Sequence, residues 1–341
     1  MDISVIIPVY NASEFIEKAV NSALFFKEVK EVVIVEDAST DNSYDLCVKL
    51  CNLDNRVKLY QHPDKMNHGA GASMDYGLKL ATCEYLCILG ADDYFLPNRF
   101  DAEKKIFTEI PDADGVYGAL GVHYYSEIAK EQFKSKFNNE ITTVTNSLEP
   151  NLVFDGLLGL DRRWKGYFSL DAFTFKKTVL EKLSYYINHD LRLHQDTEFI
   201  LRLSFYNKLY PGNIGEAIAM RGVHEDNRIT KAINNNIFYS NQHKLYMHLN
   251  KWIQRTDAKP YQKKAIDSFF KSTTIPTVNN YLLRWIYFIK NVFSNKYVFI
   301  IEKNYMRYHK FLFGENIIGS VILKIRYRLL SFFKVSQFFY H

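Results

Sequence analysis

Four clusters of acidic and polar residues in this sequence have the types and spacing to do chemistry. Asp92 and Asp93 are adjacent carboxylates just after the apolar run Tyr85-Leu86-Cys87-Ile88-Leu89. Two hard oxygen donors in that position suit a divalent cation. Asp196 opens a segment with helical spacing, and a positioned carboxylate there can take the proton of a hydroxyl as that oxygen forms a bond. Asp37 follows Val32-Val33-Ile34-Val35-Glu36 and can accept a hydrogen bond from an N–H group. His224 stands in Arg221-Gly222-Val223-His224, where it could ligate a metal or donate to an anionic oxygen, with Arg221 or Arg228 adding charge. Each cluster also has a plainer reading. Asp92-Asp93 could be a solvated turn before Pro97, and Asp37 to Asn42 a turn with a helix cap. Asp196 could be a helix N-terminal acid held by the macrodipole, and His224 a structural histidine.

The elements that must position these residues are legible as patterns. Ser4 to Tyr10 is a nearly unbroken apolar run, as expected of a strand buried on both faces of a parallel sheet. Ile16, Ala19, Val20, Ala23 and Leu24 mark one face of an amphipathic helix. Val32 to Val35 reads as a second strand, Ser43 to Leu50 as a helix and Val57 to Tyr60 as a third strand. Ala72 to Ala81 reads as a helix, and Tyr85 to Leu89 as a fourth strand. This alternation over about 120 residues predicts an α/β sandwich with right-handed crossovers. Ligands in such sheets bind beyond the carboxyl ends of the strands, and Asn11, Asp37 and Asp92-Asp93 each follow such an end. Ser126 to Pro150 is polar and weakly periodic, and reads as a mobile connection. Order returns over Trp164 to Leu183, and Asp196 to Leu209 has helical spacing. Trp164, Tyr167 and the segment to Phe175 offer aromatic faces that suit contacts to a ring of a ligand and core packing equally.

In order along the chain, these residues resemble the family 2 glycosyltransferases. Val5-Ile6-Ile7-Pro8-Val9-Tyr10-Asn11 is similar to the family's opening, and Val35-Glu36-Asp37-Ala38-Ser39-Thr40-Asp41-Asn42-Ser43 to its V-D-D-G-S-T-D-x-S segment. Asn67-His68-Gly69 to Gly77-Leu78 resembles its N-x-G…N-x-G-L region, and Leu89 to Asp93 its acidic metal motif. His194-Gln195-Asp196 resembles the E-D pair that carries the catalytic base, and Arg221 to Thr230 an R-x-x-H…S/T motif. Any one of these motifs is weak and the ordered set is strong. The resemblance implies a GT-A fold: Rossmann-like, with a mostly parallel central sheet flanked by helices, here carrying a C-terminal helical extension. Residues 1–120 would form the nucleotide-sugar-binding half of that domain, 121–230 the acceptor and catalytic-base half, and 231–341 a basic, aromatic helical region.

The resemblance further implies Mn²⁺ or Mg²⁺ at Asp93, with Asp92 beside the ribose and sharing the metal, and His224 as a further ligand. Asp37 would read uracil, with Pro8 and Tyr10 packing nearby, and Asn11, Asn67, Gly69 and His224 would complete the donor contacts. Asp196 would be the base of an inverting transfer from a nucleotide-sugar donor, a UDP-sugar on this reading. The acceptor would be a hydroxyl of a glycan or lipid-linked saccharide in bacterial surface polysaccharide synthesis. Three positions depart from the pattern. Gly90 replaces the first acid of the metal motif, Met74-Asp75 replaces an Arg-Asn pair, and Gln195 replaces the acid before Asp196. These departures keep a degenerate binding or scaffold protein in view. A sugar nucleotidyltransferase needs a Gly-rich basic loop near the N-terminus, and Pro8 to Ser13 has neither Gly nor a basic residue.

The charge distribution sets the last expectations. From Pro276 to His341 there are 10 Lys and Arg against 2 Asp and Glu, a net of +8 in a chain whose total is +5. Lys324 to Lys334 interleaves that charge with bulky apolar residues, the composition of a helix lying on an anionic membrane. The same aromatics could instead pack internally or in a homodimer. Interleaved aliphatic surface without a recognition motif argues against nucleic acid. The opening Met1-Asp2-Ile3-Ser4-Val5 lacks the features of a signal peptide, and no run reaches the ~20 apolar residues of a membrane span. A cytoplasmic protein, at most touching the inner face of the plasma membrane, is therefore expected. Cys47, Cys51, Cys83 and Cys87 lack zinc-site spacing and read as small apolar residues.

Overall fold

The computed structural model describes residues 1–134, 141, 144, 146–227, 236–274, 280 and 282–286. The expected membrane-surface helix at Lys324 to Lys334, together with Arg228 and Thr230, lies outside the described residues. The chain divides into two compact units, Met1–Ile233 and Asn234–His341.

The first unit begins with β1 (Ile3–Val9), α1 (Ile16–Leu24), β2 (Val29–Glu36), α2 (Ser43–Leu53), β3 (Val57–Gln61), α3 (Ala70–Leu80) and β4 (Tyr85–Ile88). It continues through β5 (Tyr94–Phe95), α4 (Asp101–Glu109), β6 (Gly115–Tyr117), β7 (Ala119–Tyr124), α5 (Glu127–Phe133) and α6 (Val153–Leu157). It ends with β8 (Phe173–Lys176), α7 (Gln195–Tyr206), β9 (Leu209–Pro211) and β10 (Ala217–Val223). Seven strands form one sheet in the order β3-β2-β1-β4-β8-β6-β9, and β5-β10-β7 form a smaller one. β1 pairs in parallel with both β2 and β4, and β2 in parallel with β3. β8 then runs antiparallel between β4 and β6. This is the mostly parallel α/β architecture predicted above.

The central strands are apolar throughout because helices cover both faces. Ile3, Val5, Ile6 and Ile7 of β1 and Val32 to Val35 of β2 have no exposed surface. Each such side chain contributes roughly 1.5–3 kcal/mol relative to an exposed one. On α1 the buried set is Ile16, Ala19, Val20 and Ala23, the face read from its spacing. Cys47 and Cys87 are buried in the core, and burial pushes both thiols up to about 12. The segment after Ser126, expected as a mobile connection, instead begins with a helical turn. Ser126 Oγ accepts the Ala129 N–H at 3.0 Å, and Ala129 is buried. A cap and one packed residue outweigh a polar composition there.

Arg99, just before α4, and Glu103 on α4 form a fully buried ion pair, with Arg99 against the rings of Phe95 and Phe100. Burial pushes the Glu103 carboxyl up to about 7, with Arg99 opposing it. The folded protein therefore holds a proton that the unfolded chain, near 4.5, releases first. Stability from this group is full below about pH 4.5 and falls as pH rises towards about 7. We expect the loss to be on the order of 3 kcal/mol. Glu103→Gln should flatten that slope in urea midpoints measured from pH 4.5 to 8; an unchanged slope would place it elsewhere.

The second unit contains α8 (Asn236–Ile253) and α9 (Pro260–Thr274). They pack through stacked ring pairs, His243 on Phe270 at 5.2 Å and Tyr246 on Phe269 at 5.0 Å. Among the described residues, no helix is long and apolar enough to cross a membrane.

Candidate functional site

The carboxyl ends of β1 and β2 are joined by side chains that the sequence had marked. Asn11, with φ of 49°, accepts the Thr40 N–H at 2.8 Å and donates its own N–H to Ser39 Oγ at 3.0 Å. Ala12 N–H donates to Ser43 Oγ, and Ser13 N–H to Asp41. The polar run after Asp37 thus fastens the loop after β1 as well as fronting α2. Ala38, standing where the family motif has glycine, has φ of 59°. A left-handed alanine costs about 1–2 kcal/mol, so the turn imposes that conformation whichever residue occupies it. Tyr10 is half exposed beside this loop, and Pro8 is partly buried in β1.

Asp37 is almost completely buried, and both of its carboxylate oxygens are engaged. They accept the backbone N–H groups of His68 at 2.8 Å and Gly69 at 2.7 Å. Asn67 Nδ2 donates to the Asp37 carbonyl at 2.9 Å. Asp37, Asn67 and Gly69 therefore form one unit that shapes the entry to α3. Gly69 needs its glycine: φ is 85°, and an added methyl would run into the Arg192 guanidinium. His62 lies against this unit, 3.5 Å from Asp37. Burial holds its imidazole below the usual range, and His68 adds to that.

Asp92 and Asp93 follow β4, where β5 and β10 lie side by side. β10 pairs with β5 through Met220 and Tyr94, so its next residues run past the acids. Gly222 N–H donates to Asp93 Oδ1 at 2.8 Å, and a side chain at Gly222 would strike the Asp92 carbonyl. His224 Nε2 lies 3.3 Å from Asp92 Oδ2, and Asn227 Nδ2 donates to the same oxygen at 2.9 Å. The rings of Phe15 and His224 are 4.6 Å apart. The other oxygens of the two acids converge on Gly90. A methyl placed there would lie 2.5 Å from Asp93 Oδ2 and 3.1 Å from Asp92 Oδ1.

The departure at Gly90 therefore opens a small space faced by two carboxylate oxygens. Burial pushes the Asp93 carboxyl well above the usual carboxylate range, Asp171 and Asp92 push it further, and Arg221 opposes them. Hard oxygens with surplus buried negative charge fit a divalent cation. Among the described residues, no three His, Cys, Asp or Glu side chains are already arranged around one point as a ligand set.

Asp196 is exposed in the first turn of α7, where Oδ1 accepts the Thr197 N–H at 2.8 Å. It borders a cavity of about 130 Å³ with Arg221, Ser169 and the exposed ring of Tyr167, over a floor that includes Phe168 and Ile200. The candidate base and the Arg221 segment thus meet in one cavity. Of the aromatic candidates for sugar contact, Trp164, Phe168, Phe173 and Phe175 are core residues, whereas Tyr167 faces solvent. Gln195 is buried beside Gly71 and donates to the Leu191 carbonyl. Met74 is buried, and Asp75 binds Lys79, His189 and the Ile187 N–H. Both departures thus serve the packing of α3 against the segment before α7. Asp171 and Asn227 were missed in the sequence: Asp171 falls in no motif, and Asn227 is an unspecified position within the Arg221 to Thr230 segment. An acid between Leu170 and Ala172-Phe173 was the one available signal.

Known proteins resemble this chain in sequence over its first half and in fold. Residues 4–167 match the family model described as Glycosyl transferase family 2. An uncharacterized glycosyltransferase of Rickettsia conorii, RC0461, is 34% identical over 119 residues, which cover 34% of this chain and 19% of that protein. The chain thus spans about a fifth of that relative's length. The crystal structure of S. aureus TarS 1-349 superposes with a TM-score of 0.59 at 18% identity, covering 96% of this chain and 92% of that one. TarS has also been solved with UDP-GlcNAc. The mannosyltransferase PcManGT of Pyrobaculum calidifontis, solved with GDP-Man and Mn²⁺, gives a TM-score of 0.51 at 13% identity, over 92% of this chain and 88% of that one. With its sheet, its loops at the strand ends and the family 2 glycosyl transferase match over residues 4–167, the chain has the GT-A fold and carries a segment similar to that family.

Proposed function

We propose that this protein is an inverting glycosyltransferase that moves a sugar from a UDP-linked donor to a hydroxyl of a glycan or lipid-linked acceptor. The observation that carries this reading is the convergence of Asp92 Oδ1 and Asp93 Oδ2 over Gly90, at the carboxyl edge of the sheet. The complexes of TarS with UDP-GlcNAc and of PcManGT with GDP-Man and Mn²⁺ support a nucleotide-sugar donor and a metal. Asp92 and Asp93 would hold Mn²⁺ or Mg²⁺, with His224 completing the set through its contact to Asp92. Bound there, the ion would neutralise charge on the departing diphosphate.

The rest of the reaction falls to the chain's own side chains. Asp37 holds the 67–69 loop and keeps lone pairs for a uracil N–H, since a carboxylate offers about four acceptor sites. Pro8, Tyr10 and Asn11 border the same end of the sheet. Asp196 takes the acceptor proton as the hydroxyl attacks the anomeric carbon, and Tyr167 offers a ring face to the incoming sugar. Arg221, between Asp196 and Asp93, offsets negative charge on both sides. Bacterial polysaccharide synthesis at the inner face of the plasma membrane is the setting we propose.

The direct test is thermal stability with UDP, GDP and CMP, each with and without Mn²⁺. A ligand at ~100 times its dissociation constant adds about 2.7 kcal/mol. We expect a response to UDP with metal, abolished in Asp93→Ala. A GDP preference would overturn the base assignment, and silence from all three nucleotides in folded protein would sink the donor reading.

A further inference from the structure

Asp171 lies far from the acidic motif in sequence, yet its carboxylate is built into the same turn. It belongs to a short turn at Leu170–Ala172 that leads directly into β8. Because β8 pairs antiparallel with β4, through Leu86 and Phe175, that turn arrives beside the end of β4. Asp171 Oδ1 accepts the Gly90 N–H at 2.9 Å, and Oδ2 accepts the Ser169 hydroxyl at 2.6 Å. Its carboxyl also meets that of Asp93. Only 8% of Asp171 is exposed, so it holds this position as part of the interior. Gly90, where an acid would normally stand, has no side chain to organise the turn; Asp171 holds it from outside.

We propose that Asp171 is a positioning residue for the donor site. It fixes the Gly90 turn and the direction of the Asp93 carboxyl, so that Asp93 Oδ2 faces the space above Gly90. Gly222 N–H holds the other oxygen of Asp93, so the carboxyl is gripped on one side and abutted on the other. Ser169 carries the arrangement into the cavity that holds Asp196. Asp171 therefore ties the donor end of the site to the acceptor end. This inference rests on reading Asp92-Asp93 as the cation and donor site.

The test is Mn²⁺ uptake by the whole chain in the presence of UDP, read from the free-ion electron paramagnetic resonance signal. Asp171→Asn is near-isosteric and keeps an acceptor for Gly90, but its amide would draw the Asp93 carboxyl aside. Residues that orient a metal ligand are worth about 10–100-fold in metal affinity, and a loss of at least ~10-fold is expected here. The metal-free melting temperature should stay close to that of the unmodified protein. Asp171→Ala, if folded, should lose at least as much. Mn²⁺ affinity within twofold of the unmodified protein in Asp171→Asn would overturn the inference. A melting temperature that drops while affinity holds would do the same, by showing a purely structural role. If the unmodified protein takes up no Mn²⁺ with UDP, the donor-site reading fails first, and the inference with it.

Discussion

Asp196→Asn is expected to lower turnover of sugar transfer by ~10²–10⁴-fold, the range a positioned general base contributes. Nucleotide affinity should be unchanged. Its place makes both expectations specific. Asp196 has one oxygen occupied by its own helix, and it lines a cavity with Arg221 to which neither Asp37 nor Gly69 contributes. A purely structural acid in a first helical turn predicts the opposite pattern. Removing its charge would cost about 0.3–1 kcal/mol of stability and leave catalysis intact. The catalytic reading demands about 3–5 kcal/mol at the transition state, because each tenfold in rate is 1.36 kcal/mol. Turnover and UDP binding measured on the same preparation, beside a urea melt, separate the two. Normal turnover with a small stability loss would remove Asp196 from the mechanism.

What the sequence disclosed, and what it withheld, follows from the range of the forces involved. The strands β1, β2 and β4 were legible because a parallel strand covered on both faces must be apolar along its length. Asn11, Asp37 and Asp92-Asp93 were legible as a group because polar residues just beyond such strands have nowhere else to face. The small sheet was not legible. β5 has two residues, Tyr94 and Phe95, and exists only because β10 passes beside it. That pairing brings Gly222 onto Asp93 across a separation of 129 residues. Asp171 was withheld for the same reason: its contact with Gly90 spans 81 residues and depends on β8 running against β4. The sequence identified Gly90 as a departure, but only the fold shows the space it leaves.

The helix that carries Asp196 depends on a second interaction that no motif announced, and its removal should have the largest effect on stability. Arg202 and Glu198 are fully buried one turn apart on α7, with a 2.8 Å ion pair. Arg202 also donates to the Tyr185 carbonyl at 2.7 Å and the Tyr186 carbonyl at 2.5 Å, and its guanidinium lies 3.9 Å from the Tyr185 ring centre. Tyr185 hydroxyl donates to Glu198 at 2.6 Å. Arg202→Met fills a similar volume but strands two carbonyls and a carboxylate away from water. Breaking a buried pair from one side costs about 3–5 kcal/mol. For a unit of this size that is on the order of 10 °C in melting temperature. Arg202→Met with Glu198→Leu should recover part of the loss, since no unpaired charge is left behind. The damage should also reach the site. The segment after Tyr186 is tied to α3 through Ile187 N–H on Asp75 and to the 67–69 loop through Arg192 on the His68 carbonyl. Loosening it frees the approach to Asp196 and the loop held by Asp37 together. Turnover should therefore fall in Arg202→Met even at temperatures where the protein is folded, and UDP affinity should fall with it. A urea midpoint within ~1 kcal/mol of the unmodified protein would show that the pair is solvated or replaceable, and that something else holds α7 in place.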